Sequence, residues 1–168
     1  RIMKLEEGKE KFIQSWGTLG SAWGVNRTMA QIHALLLISP EALSAQEIMD
    51  ELKISLGNAN MNLRALVDWG LVYKQLKAGE RKDFFIAEKD MWNVVTKIVA
   101  QRKKKELEPV LRVLNDVSNV EGTGKEAEEF KKVVKDIQSF SKDADKSLER
   151  LINADSKWFL SIFMKMMK

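Results

Sequence analysis

Asn58, Asn60 and Asn62 occupy alternate positions of a short stretch that also holds Gly57, Met61 and Arg64. Each of these types has a use at a nucleic-acid base edge. An asparagine amide can pair bidentately with adenine, an arginine reaches guanine or a phosphate, a methionine can touch a thymine methyl, and a glycine lets the backbone come close. Ser55, just ahead of them, can cap a helix start, whose free amides and positive dipole end suit a phosphate. Lys77, Arg81 and Lys82 follow as cations suited to the phosphate backbone or the minor groove. We therefore read Ser55, Gly57, Asn58, Asn60, Met61, Asn62, Arg64, Lys77, Arg81 and Lys82 as candidate contacts to double-stranded DNA.

Such a set needs a helix held out by a scaffold, and the punctuation of the chain supplies both. Ser44 with Glu47 three residues on is a capping box, predicting a two-turn helix that carries Ile48 and Leu52. Ser55 predicts a second helix with Leu56, Ala59, Leu63, Leu66 and Val67 on one face, stopped by Gly70. With Ala59, Leu63 and Leu66 facing inward, a rotation of about 100° per residue turns Gly57, Met61, Arg64, Ala65 and Asp68 outward, flanked by the three asparagines. Leu71 to Lys77 and Arg81 to Ala87 read as strands around an Ala78-Gly79-Glu80 turn. Upstream, Asn26 caps a helix through Met29, Ile32, Leu35, Leu36 and Ile38 that must end before Pro40. Phe12, Trp16, Leu19 and Trp23 draw an earlier helical stripe, weakened by Gly17, Gly20 and Gly24.

Beyond Glu88 only helical periodicity remains. It runs through Met91, Val95 and Ile98, and through Leu107, Val110, Leu111, Leu114 and Val117 with a kink or restart at Pro109. After Gly122-Thr123-Gly124, near-heptad spacing runs from Phe130 to Ile152, and a strongly apolar, Met-rich helix runs from Trp158 to Met167. The expected fold is mainly α with a small β-hairpin wing: a winged helix-turn-helix domain plus long N- and C-terminal dimerisation helices. The divisions fall at residues 1–25 for the N-terminal helix, 26–87 for the DNA-binding domain and 88–168 for the C-terminal helices.

Composition narrows the chemistry. The 168 residues are 45% hydrophobic and contain no cysteine, which excludes disulfides, zinc-thiolate or iron-sulfur centres and a thiol nucleophile. The lone histidine, His33, lies in an apolar run and reads as a packed core residue, so neither a metal nor a cofactor is expected. There is no phosphate-cradling glycine loop after a strand, and scattered carboxylates lack a nucleophilic partner, so no enzyme is expected. No stretch is long enough to span a membrane, and Arg1 to Lys11 is too charged for a signal peptide, so the expectation is a cytoplasmic protein. The net charge of +4 is modest, but its distribution is not. Pro40 to Leu52 carries four acids and no base, whereas Lys53 to Ala87 carries six bases against three acids. That abrupt polarity suits a surface turned toward a polyanion. Arg102-Lys103-Lys104-Lys105 reads as a solvated helix face.

The run Leu43 to Ile86 resembles the GbsR branch of the MarR-type winged-helix transcriptional regulators. The likeness is carried by Asn58-Ala59-Asn60-Met61-Asn62-Leu63-Arg64, Gly70-Leu71-Val72 and Gly79-Glu80-Arg81-Lys82-Asp83-Phe84-Phe85. Phe12-Ile13-Gln14-Ser15-Trp16-Gly17 and Glu106-Leu107-Glu108-Pro109 fit the same branch, so the resemblance covers roughly residues 10–115. It implies a homodimer whose terminal helices pair on a near-palindromic operator, with Leu56 a departure where relatives would carry a polar or basic residue. The branch includes choline-responsive members. This makes Trp16, Trp23 and Trp92 candidates for an aromatic cage around a small cationic effector, against the commoner use of tryptophan in packing. The alternative function is a winged-helix scaffold that binds protein without specific DNA contacts.

Overall fold

Helix α1 (Leu5–Ala22) runs straight through Gly17 and Gly20, and its packing on α2 (Arg27–Ile38) shows why those glycines are tolerated. A Cβ on Gly17 would lie 2.7 Å from the Gln31 side chain, and one on Gly20 would lie 2.6 Å from the Ala30 Cβ. The close approach of the two helices compensates for the poor helix propensity of glycine. The face that α1 buries is that of Ile13 and Gly17, with Trp16 half-buried. The expected stripe is corrected accordingly, because Leu19 and Trp23 are 46% and 59% exposed.

This is a computed structural model describing residues 2–167, and the chain divides into two compact units between Val94 and Val95. In the first unit, Asn26 caps α2 by accepting from the Met29 amide. Strand β1 (Leu43–Ser44) leads into α3 (Ala45–Leu52), and a tight turn leads to α4 (Leu56–Asp68). The turn bends at Lys53, which adopts the left-handed conformation with φ 54°. Gly70, at φ 73°, then turns the chain into β2 (Val72–Gln75). Strand β3 (Phe84–Ala87) lies between β2 and β1, antiparallel to both, with Val72 opposite Ala87 and Leu43 opposite Phe85. Ile32, Leu36, Ile48, Leu63, Leu66 and Val72 are the largest apolar side chains fully enclosed in the core. The Lys89 ammonium closes the end of α2 by donating to the carbonyls of Leu36, Leu37 and Ser39 at 3.1, 2.7 and 2.7 Å. It thus satisfies acceptors that Pro40 prevents the helix from using.

The regular structure among the described residues of the second unit is all helical. Helix α5 (Met91–Arg102) begins in the first unit and continues into a π-helical turn at Lys103–Leu107, followed by α6 (Glu108–Val117). Pro109 supplies no amide hydrogen to the Lys105 carbonyl four residues back, which is a cause for the widened turn. Lys103 is not part of a solvated face, as its neighbours suggested. Its ammonium lies 3.1 Å from both Asp145 and Glu149 on α7 (Lys125–Asn153), and these hydrogen bonds raise its pKa. Helix α7 buries Val134 and Ser141 but leaves Phe140 76% exposed, and α8 (Ser156–Met166) is exposed along its whole length.

Candidate nucleic-acid interface

Helix α4 is organised by its two ends and its two faces. At its start the Ser55 hydroxyl accepts from the Asn58 amide at 3.2 Å. Ala59, Leu63 and Leu66 are buried, which fixes the rotation of the helix and turns Gly57, Asn60, Met61, Arg64 and Asp68 outward. Met61 is 59% exposed. The side chains of Asn60 and Arg64 form no hydrogen bond or ion pair with other described residues. A Cβ built on Gly57 meets nothing within 4 Å, so nothing inside the chain requires glycine there. Leu56 is 43% exposed, apolar at the position where a polar contact would be expected.

Asn62 departs from the expected arrangement. It is only 3% exposed, and its amide nitrogen donates to the Asn58 carbonyl at 2.9 Å and to Asn58 Oδ1 at 2.7 Å. One turn of helix separates it from Asn58, so the amide is satisfied locally and is withdrawn from any base edge. Asn58 itself is half-buried.

The hairpin between β2 and β3 carries Arg81 and Lys82, both exposed, around Gly79 at φ 81°. Arg81 has no partner among the described residues, and the Lys82 ammonium lies 5.5 Å from the Phe84 ring centre. Lys77 corrects the sequence reading. Its ammonium donates to the Ala42 carbonyl at 3.1 Å and lies 4.1 Å above the Phe84 ring, so it ties the hairpin to the segment before α3. Lys74 and Asp83 pair across the hairpin at 2.8 Å. The capping box is complete: Glu47 accepts from the Ser44 amide at 2.7 Å and from its hydroxyl at 2.8 Å. These bonds hold the Glu47 carboxyl below the usual carboxylate range, and the charges of Lys77 and Lys82 add to the effect. Sequence reasoning missed Leu76, 81% exposed beside the hairpin turn, because an apolar residue in a predicted strand reads as core.

Of the three tryptophans expected at an aromatic cage, Trp16 is engaged within the fold. The Trp16 indole donates to His33 Nδ1 at 3.3 Å, and its ring stacks on Phe12 with centres 5.6 Å apart. Trp23 stands two turns further on at the end of α1, exposed, and Trp92 is half-buried at the start of α5.

A helix-turn-helix followed by a basic hairpin, with one face of the second helix free of internal duties, defines a winged helix-turn-helix protein. The model of the MarR family matches residues 23–82, a stretch that takes in α2, α3, α4 and β2. The chain is also similar to the HTH-type transcriptional repressor GbsR of Bacillus subtilis (strain 168), at 23% identity over 104 residues. The match covers 62% of this chain and 57% of that repressor, so the chain spans little more than half of its relative's length. Among solved structures, the crystal structure of a transcriptional regulator matches 85% of this chain and 99% of its own. Its TM-score of 0.55 at 18% identity is a likeness of fold.

Proposed function

We propose that this chain is a homodimeric transcriptional regulator that binds double-stranded DNA by sequence. Helix α4 reads the major groove, and Arg81 and Lys82 of the wing hold the adjacent backbone or minor groove. The observation that carries this reading is the outward face of α4. Gly57, Asn60, Met61 and Arg64 are exposed and have no role in packing, whereas the opposite face is buried. The exposed apolar side chains of α1, α7 and α8 support pairing of terminal helices with a second copy. In such a dimer two α4 helices stand about 34 Å apart, one turn of DNA, and the operator is a near-palindrome. A small-molecule effector acts by binding unequally to dimers of different helix separation. The tryptophans give no support to an aromatic cage as its site, since Trp16 is engaged with His33.

Selection of duplexes from a random pool with the full chain tests this. The expected product is an inverted repeat whose affinity falls steeply with salt. Arg81→Ala weakens all sequences alike and lowers the salt slope by about 1, while Arg64→Ala relaxes discrimination by about 1–3 kcal/mol at one base pair. Failure to enrich any duplex, or binding indifferent to salt, refutes it and favours the protein-binding scaffold.

A further inference from the structure

The hydrogen bonds of Asn62 fix which way the amide of Asn58 points. The Asn58 main-chain carbonyl can only accept, so the group 2.9 Å from it must be the Asn62 NH2. The same NH2 lies 2.7 Å from the Asn58 side chain, which must therefore present its oxygen to Asn62. Because oxygen and nitrogen are bonded to one carbon at about 120°, the Asn58 NH2 is turned away from Asn62 and the core. That nitrogen has no partner among the described residues and is not a buried orphan, so it is open to solvent on the first turn of α4.

We infer that Asn62 is a positioning residue that makes Asn58 a donor, so that Asn58 selects against cytosine at the position it faces. This rests on the reading of α4 as the groove helix. The major-groove edge of guanine offers N7 and O6, and that of thymine offers O4, all acceptors. Adenine offers the acceptor N7 beside its N6 amino group, whereas cytosine presents only N4–H2, which meets the Asn58 NH2 donor to donor. The bidentate pairing of asparagine with adenine needs the side-chain oxygen on the groove side, and here that oxygen faces Asn62.

The test is selection from a random duplex pool with the full chain, its Asn58→Asp variant and its Asn62→Leu variant, each checked for folding by circular dichroism. The wild type should disfavour cytosine by about tenfold at one base pair of each half-site, within the range for base-edge contacts. Asn58→Asp replaces the donor by an acceptor at a helix start that tolerates negative charge, and should turn the discrimination against cytosine into a preference for it. Asn62→Leu frees the Asn58 amide to rotate and present its oxygen, and should admit cytosine at that base pair while leaving the rest of the motif unchanged. An enriched motif that keeps the same bases in both variants overturns this inference and leaves the reading of α4 standing. No enriched motif from the wild type overturns both. Should Asn62→Leu fail to fold, Asn58→Asp decides alone, since its side chain lies at the surface end of the pair.

Discussion

His33 is a titration built into the joint between α1 and α2, and its effect on stability follows from its surroundings. The imidazole is 3% exposed, and Nδ1 accepts from the Trp16 indole at 3.3 Å, so Nε2 must carry the hydrogen of the neutral ring. Nε2 is buried with no partner. A second proton would place a charge where nothing hydrates it, and burial therefore lowers the pKa from 6.5 to about 4. The unfolded chain takes up a proton near 6.5 that the native state refuses, so the stability contributed by the neutral ring is complete above 6.5 and is lost as pH falls from there toward 4. The full loss is about 3 kcal/mol, of which about 2 kcal/mol falls between roughly pH 7.5 and pH 5, above most carboxylate titrations. His33→Phe removes the titration and the orphaned donor together. Urea unfolding of the variant should therefore give stability nearly flat across that interval, and near or above wild type at its acid end. Because the chain has a single histidine, its ring protons can be followed by nuclear magnetic resonance without assignment. A ring titrating near 6.5, or an unchanged slope in His33→Phe, would refute the reasoning.

Gly57→Ala separates folding from binding. With open space around its Cβ, the alanine should raise stability by about 0.5–1 kcal/mol through helix propensity, while DNA affinity falls if backbone approaches a base or phosphate there. Thermal unfolding and a binding titration measure the two effects, and unchanged affinity would remove Gly57 from the interface. Leu63→Ala empties a site only 1% exposed in the wild type and should cost about 3–5 kcal/mol in urea unfolding. Glu47→Gln should destabilise at neutral pH and converge on wild type in acid. A carboxylate with a lowered pKa contributes fully above 4.5, and that contribution is lost as pH falls through its lower native value. Parallel urea curves for the two proteins across the acid range would count against the charge-assisted capping box.

The caps and turns were legible in the sequence because each is a contact between residues at most four apart. Asn26 with Met29, Ser44 with Glu47 and Ser55 with Asn58 stand where the spacing predicts, as do the left-handed glycines at positions 70 and 79. The periodicity of Ala59, Leu63 and Leu66 likewise settled which face of α4 is turned out. The rest was decided by partners far away in the chain. Lys77 reads from the sequence as a DNA-binding cation, but only the fold shows that its ammonium donates a hydrogen bond to the Ala42 carbonyl, 35 residues earlier, and that Lys89 caps a helix some 50 residues upstream. The two-residue β1 has no pattern of its own and exists only because β3 pairs with it. Gly17 and Gly20 look like helix breakers until α2 is laid against them. Asn62 looks like its neighbours Asn58 and Asn60, flanking the face that the periodicity turns inward, and only the closed core shows that it is buried there with its amide bonded to Asn58. Local hydrogen bonds are written into neighbouring residues, whereas burial and long-range pairing depend on which surfaces close on one another, and this chain settles those only in three dimensions.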